Sequence, residues 1–232
     1  MEIRRFSLIS GAREATGLAV IIDVLRAFTT DAYVMANGAV GIYPVATVEE
    51  ALDLRKLHPD WLLIGERGGI KVEGFDFGSS PDEVMGVDFS GRTVIQTTGA
   101  GTQGIVNAGD ADEVVLGSFV MAEAIVDFIR RREPEVVSLV AMGWNGREPT
   151  LEDELCAEYL EGRLEGRTPD FHGMRSRIRE TAQGAKFFDP AQPQYHEGDF
   201  YAAMDLDRFP FVLVVDEVDG LSVVKKAFLR LR

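Results

Sequence analysis

Short apolar runs alternate with helical patterns along most of this chain, and this alternation limits the fold more than any other feature of the sequence. The runs are rich in β-branched residues and have the length of buried strands. They lie at Leu18–Val24, Val40–Val45, Trp61–Ile64, Thr93–Ile95, Glu113–Leu116 and Val136–Met142. Helical segments between strands imply crossover connections, so we expect a largely parallel sheet with helices on both faces.

Helical patterns follow several of these runs. Thr47–Leu54 begins with a capping box of the Ser/Thr-x-x-Glu type. Ser118–Arg131 and Leu151–Leu164 carry apolar residues at helical spacing, which favours helices with one buried side. Charged and polar residues dominate the part that follows, where Met174–Phe188 is interpreted as one helix or two.

The last part of the chain returns to strand-like sequence. Phe211–Asp216 and Leu221–Lys226 flank Val218-Asp219-Gly220, a segment typical of a hairpin turn. An antiparallel pair there would make the sheet mixed. The sequence therefore predicts a single domain over residues 1–232, a three-layer α/β/α fold with a mixed, largely parallel central sheet.

Composition narrows the function classes. The net charge of −14 argues against binding to nucleic acid or to an anionic membrane surface. No apolar stretch has membrane-spanning length, and the N-terminus lacks the apolar region of a signal peptide. The single cysteine excludes an internal disulfide and fits the cytoplasm. A small anionic substrate and a homo-oligomer both remain compatible with this composition.

Charged and hydroxyl side chains follow the first buried strand. Asp23 ends the strand, and Arg26, Thr29 and Thr30 come where a helix should begin. Ligands of open α/β sheets bind beyond the carboxyl ends of the strands. These residues are candidates for a site, although Asp23 could also cap the helix and pair with Arg26.

A similar arrangement follows the strand at Trp61–Ile64. Glu66 and Arg67 come next, in a glycine-rich stretch that could bring backbone N–H groups close to an anion. Ser80 and Pro81 have the pattern of an N-cap and a first helical residue, which would direct a helix N-terminus to the same place. An ordinary surface loop is the alternative interpretation.

A threonine- and glycine-rich loop follows the strand at Thr93–Ile95. It contains Thr97, Thr98 and Thr102 and could bind an anion through backbone amides and hydroxyls. The lysine of a P-loop is absent. The loop also matches G-x-G-x-x-G, but the next strand lacks the acidic residue of a dinucleotide site, so an oxidoreductase is the poorer interpretation.

A pair of carboxylates opens the helix at Leu151–Leu164. Glu152 and Asp153 lie in its first turn, where acidic residues favour a helix for local reasons. Beside other acidic strand ends, they could also hold Mg²⁺, which prefers oxygen ligands. Cys156 lies on the apolar side of this helix, so we expect a buried, unreactive thiol.

Taken together, these motifs resemble the 2-phosphosulfolactate phosphatase family in their order and separation. The matching segments are Ile22–Ala27, Gly65–Gly69, Gly74–Pro81, Thr97–Thr102 and Leu151–Ala157. The resemblance implies an α/β/α fold around a mixed sheet. It also implies a Mg²⁺-dependent phosphatase that acts on phosphosulfolactate, a step towards coenzyme M.

The chain departs from the family pattern at Ser79, at Gly99 and near Ser118, where the family usually has an asparagine or a shorter loop. Because of these departures, the alternative to a phosphatase is a non-catalytic binding or regulatory protein for a phosphorylated metabolite. We assign catalytic roles to Asp23, Arg26, Glu66 and Arg67. Substrate contacts are assigned to Lys71, Ser79, Ser80, Thr97, Thr98 and Thr102, and Mg²⁺ ligation to Asp23, Glu66, Asp76, Glu152 and Asp153.

Overall fold

The computed structural model describes residues 1–228, in which helices surround a ten-stranded mixed sheet. The strands are β1 (Glu2–Ser7), β2 (Leu18–Ile22), β3 (Gly41–Pro44), β4 (Leu62–Arg67), β5 (Ile70–Lys71), β6 (Thr93–Thr97), β7 (Glu113–Gly117), β8 (Val136–Ala141), β9 (Phe211–Val218) and β10 (Leu221–Phe228). The helices are α1 (Leu8–Glu14), α2 (Ala27–Ala36), α3 (Val48–Leu57), α4 (Pro81–Val84), α5 (Gly101–Asn107), α6 (Ala122–Arg132), α7 (Leu151–Leu164), α8 (Phe171–Glu180), α9 (Ala182–Ala185) and α10 (Glu197–Ala203).

Two blocks of parallel strands make up most of the sheet, whose order is β1-β8-β2-β7-β9-β10-β3-β6-β4-β5. The strands β1, β8, β2 and β7 form one block, and β3, β6 and β4 form the other. The antiparallel β9–β10 hairpin lies between the blocks and pairs with β7 and β3. This arrangement confirms the predicted α/β class with a mixed, largely parallel sheet.

Both faces of the first block are covered. Every residue of β2 is buried, as expected for a strand with a helix layer on each side. On one face, Gly104 lets α5 approach β2 closely, because a Cβ at this position would clash with the side chain of Ile21 on β2. The helices α6 and α7 pack against each other and against strands of this block, so the core forms on both sides of the sheet.

The second block differs from expectation at its edge. The sequence predicted that a strand ends at Ile64 and that a long loop follows. Instead β4 continues through Glu66 and Arg67, because it pairs with the short antiparallel strand β5 in the register Glu66 to Lys71. Both charged residues are therefore held by strand hydrogen bonding rather than by a free loop.

Local capping largely follows the sequence. Thr47 and Glu50 form the predicted capping box of α3. The hydroxyl of Ser80 accepts from the backbone N–H of Glu83, and Pro81 is the first residue of α4. Thr150 occupies the N-cap position of α7, but its side chain forms no capping hydrogen bond.

Two further expectations concern the chain as a whole. The single domain over 1–232 remains a prediction, and residues 229–232 lie outside the described part of the chain. Among residues 1–228, no helix has both the length and the apolar character needed to cross a lipid bilayer.

Candidate active site

A narrow cavity of about 30 Å³ lies at the ends of β2 and β4. Residues far apart in sequence line it, since it combines the segment after β2 with the β4–β5 hairpin and the loop after β8. The lining includes Asp23, Arg26, Glu66, Ser79, Asn145 and Tyr195. Three of the four predicted catalytic residues thus share one cavity.

Asp23 is the most perturbed acid in this lining. It is 6% exposed, and its Oδ1 accepts a hydrogen bond of 3.1 Å from the backbone N–H of Ala27. Burial, with the carboxylates of Glu66 and Glu152 acting in the same direction, raises the pKa of Asp23 to about 7. A carboxyl group with this pKa can gain or lose a proton near neutral pH.

The start of α5 reaches this carboxyl group because residue 101 is a glycine. A Cβ on Gly101 would lie 2.9 Å from Oδ2 of Asp23 and 2.9 Å from the ring of Phe28. Gly101 therefore allows the end of β2 and the helix after β6 to meet.

Glu66 joins two loops of the site through its carboxylate. Its Oε2 accepts from the backbone N–H of Gly69 at 2.6 Å, and its Oε1 accepts from that of Gly99 at 2.7 Å. The loop after β6 is thereby tied to the β4–β5 hairpin. The side chain of Asn145 packs against Gly99 in this loop, since a Cβ on Gly99 would lie 2.5 Å from the Asn145 Oδ1 atom.

Arg26 is held by protein groups on one side and faces the cavity on the other. Its Nη1 donates to Asp199 at 2.6 Å and to the carbonyl of Gln194 at 3.0 Å, and its Nη2 donates to the carbonyl of Gly69 at 2.8 Å. The guanidinium also lies over the ring of Tyr195. Its Nε–H and one Nη2–H have no partner among residues 1–228.

The remaining basic residues of the prediction lie outside this lining. Arg67 is exposed and donates to the carbonyl of Glu66 and to Oγ1 of Thr97. It lines a second, more open cavity of about 520 Å³ together with Thr98. Lys71 is exposed on β5 and lines neither cavity.

Of the hydroxyl side chains predicted to contact substrate, one lines the narrow cavity and others form hydrogen bonds within the protein. Ser79 lines the narrow cavity, and its Oγ is buried without a partner in the described residues. The Ser80 hydroxyl instead donates to Asp199 at 2.6 Å. Thr98 and Thr102 brace the loop after β6, because the backbone N–H of each donates to the hydroxyl of the other.

Asp153 is buried close to Asp23 but has both oxygens engaged. They accept 2.8 Å hydrogen bonds from the backbone N–H groups of Val24 and Gly143. Burial raises the pKa of Asp153 well above its ordinary value, and the charges of Asp23 and Glu152 act in the same direction. Asp153 thus positions the segments after β2 and β8 relative to each other.

Glu152 and Asp76 have opposite surroundings. Glu152 is 3% exposed, its Oε2 has no hydrogen-bond partner in the described part of the chain, and burial raises its pKa. Asp76 is exposed and lines neither cavity. Its Oδ2 instead accepts hydrogen bonds from Arg55 at 3.1 Å and from the backbone N–H of Leu63 at 2.8 Å. Among residues 1–228, no three His, Cys, Asp or Glu residues are grouped as a metal-binding set.

Sequence reasoning did not select three residues around the cavity, namely Asp199, Asn145 and Tyr195. Asn145 lies in the polar loop that follows the buried strand β8, and this position is the signal that could have found it. Tyr195 and Asp199 lie in the polar part of the chain and carry no comparable signal. The predicted burial of Cys156 is confirmed, and burial raises the pKa of its thiol well above the ordinary value.

Comparison with known proteins identifies the family of this chain. A sequence model of the 2-phosphosulpholactate phosphatase family matches residues 6–193. The chain belongs to the 2-phosphosulfolactate phosphatase family. The matched range includes every residue of the narrow cavity lining except Tyr195.

Several curated relatives carry the family name. A probable 2-phosphosulfolactate phosphatase of Caldicellulosiruptor saccharolyticus is 40% identical over 146 residues, which is 61% of this chain and 60% of the relative. One of Thermotoga petrophila is 42% identical over 63% of this chain and 62% of the relative. The chain thus matches less than two thirds of the length of these relatives. One of Bacillus subtilis is 29% identical over 90% of this chain and 92% of its own length.

Proposed function

We propose that this chain is a Mg²⁺-dependent phosphatase that hydrolyses 2-phospho-3-sulfolactate to 3-sulfolactate and phosphate. The observation that carries the proposal is the cavity in which Asp23, with a pKa of about 7, lies with Glu66 and Arg26 within the region matched by the family. The reaction would supply 3-sulfolactate on the way to coenzyme M, in the cytoplasm.

Two carboxyl groups fit a hydrated Mg²⁺ ion better than the other candidates. Asp23 lines the cavity, and Glu152 has a buried oxygen without a partner. Mg²⁺ typically uses one or two carboxylates together with waters and substrate phosphate, so a set of three protein ligands is not needed. When bound, the ion would neutralise phosphate charge and lower the pKa of a bound water.

The remaining acids of the assignment have other partners. Glu66 and Asp153 hold backbone N–H groups with both oxygens, and Asp76 is paired with Arg55. We therefore narrow the proposed ligands from the five carboxylates of the sequence analysis to Asp23 and Glu152.

The phosphate group would meet donors on the cavity wall. Arg26 offers its Nε–H and one Nη2–H, and Ser79 offers a buried hydroxyl. Because Asp199 and two carbonyls fix the guanidinium, these donors are oriented before a ligand arrives. Charge-assisted hydrogen bonds of this kind are stronger than neutral ones, and phosphoryl transfer depends mainly on such positioning and charge stabilisation.

Two routes remain open for Asp23. As a base, it takes a proton from the attacking water, for which a pKa near 7 is suitable. As a nucleophile, its carboxylate attacks phosphorus and forms an aspartyl-phosphate, which water then hydrolyses.

A phosphate-release assay with and without Mg²⁺ tests the proposed function. The panel contains 2-phosphosulfolactate, 2-phospholactate and a neutral-alcohol ester, each repeated in excess chelator. We expect Mg²⁺-dependent release, fastest from 2-phosphosulfolactate. Binding of these esters without any release would instead support a non-catalytic binding protein.

Isotope labelling separates the two routes. In a single turnover in H₂¹⁸O, attack by water places the label in the released phosphate. An aspartyl-phosphate that is hydrolysed at its carboxyl carbon places it in the Asp23 carboxylate, which peptide mass spectrometry detects. If that intermediate is hydrolysed at phosphorus, trapping with hydroxylamine reveals it.

A further inference from the structure

The more open cavity of about 520 Å³ adjoins the narrow one and has no assigned role. Trp144 and Asn145 line both, so a ligand seated in one can extend into the other. The open cavity is also lined by two arginines, Arg67 and Arg147. A chain with a net charge of −14 thus presents two cationic side chains beside its candidate active site.

The arginines are available to a ligand. In the described part of the chain, neither Arg67 nor Arg147 forms an ion pair with a carboxylate, whereas eight other arginines do. Hydrogen bonds to the Glu66 carbonyl and to Thr97 orient Arg67. Arg147 is exposed. Glu148 also lines the cavity and would oppose an anion placed against it.

The loop that carries Arg147 is held in place. The backbone N–H of Trp144 donates to the carbonyl of Glu148 at 2.7 Å, and that of Arg147 donates to the carbonyl of Trp144 at 3.0 Å. Gly146 has a φ of +65° and lies against Ile9, where a Cβ would be 2.7 Å from the side chain. A rigid turn therefore presents Arg147 at the cavity, with little ordering needed on binding.

We infer that this cavity binds the acidic arm of the substrate, a carboxylate or a sulfonate, while the phosphate lies in the narrow cavity beside Asp23. Arg147 is the specificity-determining residue, and Arg67 is the second cation. A guanidinium suits either oxyanion because it can donate two parallel hydrogen bonds. This inference rests on the proposed phosphatase function for the placement of the phosphate.

Turnover by Arg147→Gln tests the inference with three esters. These are 2-phospholactate, with a carboxylate arm, the phosphoester of isethionate, with a sulfonate arm, and isopropyl phosphate, with a neutral arm. We expect KM to rise about tenfold for at least one acidic ester, with kcat nearly unchanged and no change for isopropyl phosphate. The ester with the larger rise identifies the arm. The matched control is Arg177→Gln, an exposed arginine that lines neither cavity.

An equal rise in KM for all three esters, or no rise for any, would overturn the inference. Arg147→Lys, which keeps the charge, should recover part of the affinity. That partial rescue would not be expected if the glutamine variant acted only through the fold.

Direct binding separates failure of this inference from failure of the phosphatase function. In a Trp61→Phe background, Trp144 is the sole tryptophan and lies in the lining of both cavities. Its fluorescence should change on titration with 3-sulfolactate, lactate or isethionate, and Arg147→Gln should weaken this response. That result upholds the inference even if no ester is hydrolysed. A wild-type response that Arg147→Gln leaves unchanged, or the absence of any response, would overturn it.

Discussion

The guanidinium of Arg26 and the carboxylate of Asp199 form a buried ion pair in which Nη1 lies 2.6 Å from Oδ2. The other carboxylate oxygen accepts from Ser80 at 2.6 Å and from the backbone N–H of Asp82 at 3.0 Å. Asp199 therefore joins the segment after β2 to the N-terminus of α4. Asp199 holds the Arg26 guanidinium in place. Arg26 therefore connects these two segments as well as lining the cavity.

Asp199→Ala should destabilise the protein by about 3–5 kcal/mol, because it leaves the buried Arg26 charge without its partner. Denaturant unfolding followed by circular dichroism measures this change. As a control, Asp205→Ala removes an exposed ion pair with Arg208 and should cost about 0–1 kcal/mol. Similar losses in the two variants would contradict the structural role of Asp199.

Asp31→Asn should stabilise the protein more at pH 8 than at pH 4.5. Asp31 is fully buried, and burial raises its pKa well above the ordinary value. The folded protein thus holds this proton more tightly than the unfolded chain. Wild-type stability should fall as the pH rises above the unfolded pKa of about 3.9 towards the raised folded value.

Thermal unfolding at several pH values tests this linkage. The amide cannot ionise, so the difference in Tm between Asp31→Asn and wild type should grow across that window. Asp60→Asn, on the surface, controls for the change in net charge. A difference that stays constant with pH would show that Asp31 is not held protonated.

Asp23→Asn should lower kcat by about 10³, because it removes the proposed base or nucleophile. The protein should stay folded, because the change only replaces a buried carboxyl group by an amide. Mg²⁺ should raise the Tm of wild type and have a smaller effect on this variant. Differential scanning fluorimetry measures the shift. Asp110→Asn, at an exposed site, should retain the wild-type response. Full turnover by wild type in excess chelator would remove the metal from the reaction.

Gly101→Ala should reduce activity at least tenfold, because the added Cβ would lie 2.9 Å from both Oδ2 of Asp23 and the Phe28 ring, and must displace one of them. Gly109→Ala is the matched control, since a Cβ at that position has no neighbour within 4 Å. Steady-state kinetics and Tm should be measured for both variants. Equal activity in the two would show that the approach of α5 to Asp23 does not matter for turnover.

Local sequence patterns determined much of this fold. Buried strands, the capping box at Thr47, the Ser80–Pro81 helix start and the terminal hairpin all depend on residues close together in the chain, so they could be predicted. The extension of β4 through Glu66 could not, because it depends on pairing with β5 rather than on apolar periodicity.

The convergence of the candidate site was decided by the tertiary structure. Three antiparallel pairings separate β7 from β3, so the two parallel blocks run in opposite directions along the sheet order. In a flat sheet, the end of β2 and the ends of β6 and β4 would then lie at opposite edges. Each strand step rotates by about 20–25°, so the five steps from β2 to β6 turn the direction by roughly 100–125°.

That twist brings Asp23 and Glu66 to one cavity although their strands belong to opposed blocks. The sequence by itself determined which side chains end each strand, since that follows from local pattern. Their positions at strand ends predicted one shared site. How the ends of opposed strands meet, and that Asp199 would anchor Arg26, could not be predicted, because both depend on the order and twist of strands far apart in the chain. Those relationships arise only when the whole sheet is assembled.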